Sequence, residues 1–222
     1  MNKTTSRAIM ALLILVLLVS CQQLFTTSLG TALARDGYPD LSDASLEDAL
    51  SLLADAQGDQ DLAVALVAPL YTAALEATPG SATYDKAATA LVEAVVISSG
   101  IGTAITDGLQ TYLDDGEDAL DMDTLLATIT VSDSAVTSLQ LIAESPPASM
   151  TATQAYTAAA TLMVAILQDT STLSLENAEA TDFEDADPVL YAAALDLFNH
   201  AQSLDTTDSM FGSIFGELPF LP

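Results

Sequence analysis

Basic residues are almost missing from this 222-residue chain, in which four lysines and arginines stand against 31 aspartates and glutamates. A protein that binds nucleic acid needs a cationic footprint to displace counterions from the phosphates, and none can be assembled here. Docking of side chains onto anionic lipid headgroups is disfavoured on the same ground. Tryptophan is absent, and there is one histidine and one cysteine. One cysteine makes no internal disulfide, and a lone histidine without a second thiol builds no zinc site of the usual ligand types. No segment alternates apolar and polar residues for long enough to form a sheet.

The N-terminus is more informative. Lys3 and Arg7 precede an apolar run of twelve residues, Ala8 to Val19, which Leu18-Val19-Ser20-Cys21 closes. Twelve residues fall short of the roughly 20 that span a bilayer but suit the core of a signal peptide. The closing tetrapeptide resembles the lipobox of bacterial lipoproteins, with a branched aliphatic at −3, a small residue at −1 and then cysteine. In that family the thiol receives fatty acyl chains such as palmitate and the signal is cut before it. The resemblance therefore implies a signal peptide over 1–20 and a lipidated Cys21 that holds the chain to a membrane. Gln22 occupies the place where aspartate retains enterobacterial lipoproteins in the inner membrane. By that analogy the expected location is the outer membrane, facing the periplasm.

Removal of the signal takes Lys3 and Arg7 with it and leaves Arg35 and Lys86 against all 31 carboxylates, a formal charge of −29. Such a surface fits either a salty habitat, where ions screen self-repulsion, or a basic partner or divalent cation. The mature length suits one domain with a core. Residues 21–43 contain Gly30, Gly37 and Pro39, show no period and read as a tether. A flexible chain of that length spans roughly 25 Å. From residue 44 to 222 the pattern is helical, and the fold class is all-α, an array or bundle of antiparallel helical hairpins.

Ser45 is an N-cap before Leu46, Leu50 and Leu53, which recur at i, i+4, i+7 until Gly58. Asp59 or Asp61 opens a second helix through Leu62, Leu66, Leu70 and Tyr71, and Pro69 is expected to kink or split it. Further helices are predicted over 81–98, 103–113, 122–130, 133–144, 151–168 and 188–204, the last with Pro188 in its first turn.

Two of these helices share a pattern. Val67, Tyr71, Ala74 and Pro79 carry the small–aromatic–alanine–proline spacing of the second helix of a tetratricopeptide repeat. Ala194, Phe198 and Ala201 repeat it, with Thr206 in the place of the proline. The family's first-helix aromatic and Leu-Gly positions are Ser51, Ala54 and Asp55 here. With a lipid anchor, such hairpins resemble the T-component lipoproteins associated with TRAP transporters. That resemblance implies a non-enzymatic scaffold, accessory to periplasmic transport, whose partner is another extracytoplasmic protein. It implies no cofactor.

Catalytic signatures are weak. The acidic run 114–123 lacks the glycine and glutamate register of a calcium-binding EF-hand and reads as a solvated loop. Gly100-Ile101-Gly102 lacks the third glycine of a dinucleotide loop and reads as a turn between helices. His200 sits near the end of the last helix, where the helix dipole favours a cation. Phe211, Phe215 and Phe220 gather half of the chain's phenylalanines near the C-terminus, either to seal the core or to form an interaction patch. A second functional class stays open: an inter-helix cavity for an apolar or small ligand, lined by Met122, Met150 and Met163.

Overall fold

The structure is a computed structural model. It describes residues 40–56, 59–115, 122–170 and 179–204, except the side chains of 109, 112–115, 122, 123 and 125. Cys21, the signal, the tether as far as residue 39, Phe211, Phe215, Phe220 and the acidic stretch 116–121 lie outside the described residues.

Nine helices and no strand occur among the described residues. They are α1 (Leu46–Asp55), α2 (Gln60–Glu76), α3 (Ala82–Ser99), α4 (Ile101–Asp115), α5 (Met122–Thr128), α6 (Asp133–Glu144), α7 (Ala152–Asp169), α8 (Ala180–Ala186) and α9 (Pro188–Leu204). Capping sets their starts. The side chains of Ser45, Asp59, Ser81, Ser132 and Thr151 each accept a hydrogen bond from the backbone N–H three residues on. Each satisfies one of the donors that a helix N-terminus leaves unpaired. Asp187 serves α9 in the same way, its carboxylate accepting from Val189 N–H at 3.0 Å and Leu190 N–H at 2.9 Å.

The predicted boundaries change in four places. α2 runs on through Pro69 rather than splitting there. α3 and α4 are separated by Gly100 alone, which ends α3 at φ +73°, a left-handed conformation that glycine adopts without strain. The glycine pair is thus a turn between helices. α5 stops at Thr128 because Thr130 N–H turns away to Ser99 O at 3.0 Å. α8 was not predicted: Phe183 is the only large apolar residue in its sequence, so no period marks it.

Six of the helices form a regular series. Taken in the order α1, α2, α3, α6, α7, α9, each packs on the next and on the next but one. This ladder yields two layers, α1–α3–α7 and α2–α6–α9, and the two ends of the series, α1 and α9, do not pack extensively on each other. The most extensive pairs are α2 with α3 and α7 with α9. α4 and α5 are inserted between α3 and α6, and α8 between α7 and α9. Ile101, Ala104 and Ile129 of that first insertion pack on Val164 of α7.

The core follows the series. Leu66, Leu70, Leu91, Leu139, Ile142, Leu162, Ile166 and Leu197 are at most 1% exposed. Burying each such side chain contributes about 1.5–3 kcal/mol. α7 is buried on almost every side, and its two buried threonine hydroxyls are satisfied within the helix. Thr157 donates to Thr153 O and Thr161 to Thr157 O, both at 2.8 Å.

Polar ties join the loops to both ends of the central helices α3 and α7. At one end, Gln168 Nε2 donates to Ile129 O at 2.7 Å and its Oε1 accepts from Val131 N–H at 3.3 Å. Gln168→Leu removes both contacts and leaves a carbonyl and an N–H without them. It is expected to cost about 1–3 kcal/mol, read as a lowered denaturant midpoint with fast amide exchange confined to 122–131.

At the other end, Tyr84 Oη donates to Ser145 O, the Asp85 carboxylate accepts from Ala148 N–H at 3.1 Å, and Thr89 and Ser149 share a hydroxyl contact of 2.7 Å. Burial pushes the Tyr84 phenol above its ordinary value, helped by the negative charges of Asp85 and Glu144. Tyr191 is raised by burial and by Glu184. Between the unfolded value near 10 and the higher folded value the native state holds a proton that the unfolded chain has released. Stability is therefore full below pH 10 and falls as pH rises beyond it. Melting temperatures between pH 8 and 11.5 test this: Tyr84→Phe is expected to flatten the alkaline limb, leaving the part owed to Tyr191.

Candidate functional site

The tetratricopeptide-like positions occupy opposite ends of one layer. α2 and α9 both pack on α6, which lies between them. In α2, Val67 and Ala74 are buried, Tyr71 is half-buried and Pro79 is exposed beyond the helix end. In α9, Ala194 and Ala201 are fully buried and Phe198 is 2% exposed. The Phe198 ring meets Tyr156 of α7 edge-to-face, centroids 5.5 Å apart and planes at 62°. Ala194 and Ala201 stand at i−4 and i+3 from Phe198, where side chains no larger than a methyl group permit close helix packing.

His200 lies half-buried on the last turn but one of α9. Its Nε2 is shielded from solvent without a hydrogen-bond partner among the described residues. Ser203 Oγ donates to the His200 backbone carbonyl at 2.6 Å, not to the ring. Several other helix hydroxyls behave alike: those of Ser98, Ser99 and Ser138 donate to carbonyls three or four residues back. A hydroxyl used this way supports its own helix. It is not held as a nucleophile against a base. Among the described residues no three histidine, cysteine or carboxylate side chains come together as a metal-ligand group.

Two open clefts flank α2. One, of about 540 Å³, lies between Asp59 and Asp61 at the start of α2, Val96 and Ile97 of α3, and Thr103 of α4. The other, of about 470 Å³, lies between the segment before α1, Pro69 and Glu76 of α2, and Thr83 of α3. Both mix polar and apolar walls, and no methionine or aromatic ring lines either among the described residues. Met150 and Met163, which read as ordinary core unless a ligand cavity exists, are core residues at 3% and 4% exposure and line neither of these clefts. The Met122 side chain lies outside the described residues.

Surface chemistry distinguishes α2. Val64 is 52% and Leu75 58% exposed, and Ala68 between them is also exposed. The sequence did not reveal this, because α2 is apolar on nearly all sides and both residues look like core. Its position at the end of the layer α2–α6–α9 leaves one face uncovered. No single described helix is long and apolar enough to cross a membrane; α3 with the first part of α4 meets the length test jointly but is bent by 61°. The buried state of α3 accounts for its hydropathy. Comparison with protein families, curated proteins and solved structures finds no match for this chain.

Proposed function

We propose that this chain is a lipid-anchored helical scaffold without catalytic activity, which holds another extracytoplasmic protein near a membrane. The supporting observation is the ladder in which each helix of the series packs on the next and the next but one. Arrays built that way expose long faces on both layers, and they serve widely as protein-binding surfaces. The lipobox supplies the anchor, the tether supplies the reach, and the tetratricopeptide-like spacing in α2 and α9 agrees with a degenerate repeat. The likeness to T-component lipoproteins makes a periplasmic substrate-binding protein the first partner to try.

The test is site-specific photo-crosslinking in intact cells, with the probe placed in turn at exposed positions on α2, α3, α6 and α9. A scaffold gives one adduct of constant mass from neighbouring positions on one face and none from the remaining faces. Absence of any discrete adduct from every face would remove the proposal.

A further inference from the structure

The exposed face of α2 has a definite pattern. Val64, Ala68, Tyr71 and Leu75 follow one another at 4-3-4 spacing. At 100° per residue they occupy a sector of about 60° and run for about 16 Å. Val64 and Leu75 are more than half exposed, Ala68 is exposed and Tyr71 is half-buried. This is the spacing of the seam by which one helix packs along another in a coiled coil. Ala68 at its centre permits close approach, and Asp61 and Glu76, both exposed, stand along one edge.

Charge decides what can lie there. Lys86 is the only lysine or arginine from Leu41 to Leu204, so the described body is strongly acidic. An anionic lipid surface is repelled. A second copy laid antiparallel along the stripe brings Asp61 of each chain towards Glu76 of the other. In any orientation it adds a second strongly acidic body, and like charges across an interface oppose pairing. A cationic helix is attracted, and its basic edge matches the acidic one.

We propose that the Val64–Ala68–Tyr71–Leu75 face docks an amphipathic helix of another protein, with apolar residues at the matching spacing and lysine or arginine beside them. This rests on the scaffold reading and names its surface and the chemistry of its partner. The stripe is smaller than the roughly 800 Å² per partner of a stable interface, so binding through it is weak and strongly salt-dependent.

The experiment uses a labelled synthetic helix with leucines at 4-3-4 spacing and lysine edges, titrated by fluorescence anisotropy against the full acylated chain in detergent. A matched peptide with glutamate edges is the control. Val64→Glu with Leu75→Glu adds negative charge while removing apolar surface, so the two driving forces predict opposite signs. Docking in the seam weakens binding by about tenfold or more, equivalent to about 1.4 kcal/mol; attraction by charge alone strengthens it and overturns the proposal. Val189→Glu on exposed α9 is expected to leave affinity unchanged, and circular dichroism confirms that each variant is folded. Equal binding of both peptides, or binding only after residues 205–222 are deleted, also overturns it, the latter because the chain's own C-terminus then covers the face. A dimer of the parent chain that the double substitution dissociates assigns the face to a second copy and overturns it too. If the peptide fails while crosslinking finds a partner on another face, this surface is wrong and the scaffold stands.

Discussion

Replacing Cys21, the proposed lipid site, with serine is expected to abolish lipid attachment of the mature chain. Serine offers no thiol for acylation, and the lipoprotein pathway cuts only after lipid has been added. The variant therefore accumulates as uncut precursor, or is released as a soluble body by another peptidase. The size of the effect follows from the anchor. Each buried methylene contributes about 0.8 kcal/mol, and a single chain holds only marginally, whereas two or three hold firmly. Nothing on the described surface replaces that energy, since its charge repels anionic headgroups. Palmitate labelling and partition into detergent read the outcome directly. A serine variant that still takes up label, or whose cut form still enters the detergent phase, would place the anchor elsewhere. Folding is expected to be unaffected, because the residues from Leu41 onward form a contact unit of their own.

Much of the helical architecture was legible because local signals agree with one another. Ser45, Asp59, Ser81, Ser132 and Thr151 are side chains that cap, and each stands just before an apolar period and does cap. Leu62, Leu66 and Leu70, the periodic residues of α2, are indeed buried. What stayed hidden depends on distant residues. Gln168 reads as an ordinary surface glutamine until the segment 129–131 folds against it. α8 carries too few apolar residues to show a period. Pro69 looks like a helix breaker, yet α2 is held on α1, α3 and α6, and packing on three neighbours overrides one lost backbone hydrogen bond. The exposed seam of α2 was hidden for the converse reason: an apolar residue in an Ala-rich helix carries no mark of which neighbour is missing. The ladder itself is a pattern of pairings, and pairings between helices leave almost no trace in the periodicity of each one.

The same ladder sets the second large effect. Phe198→Ala is expected to cost about 3–5 kcal/mol, since it deletes a ring that is 2% exposed and packed edge-to-face on Tyr156. That is a large share of the roughly 5–15 kcal/mol by which a domain is stable. Where the loss appears depends on the architecture. In a closed bundle it lowers the stability of every helix together. In a series where stability is a sum over neighbouring helices, damage at the last member stays local. α9 packs on α7, α6 and α8, whereas α1 and α2 stand at the opposite end of the series. Hydrogen exchange should therefore show α8, α9 and the adjoining face of α7 losing protection first, with α2 and α3 retaining most of theirs. Leu91→Ala, a cavity of similar kind in central α3, is expected to weaken all six helices of the series at once. If Phe198→Ala instead lowers protection equally from α1 to α9, the helices unfold as one unit, and the description of stability as a sum over neighbouring helices fails.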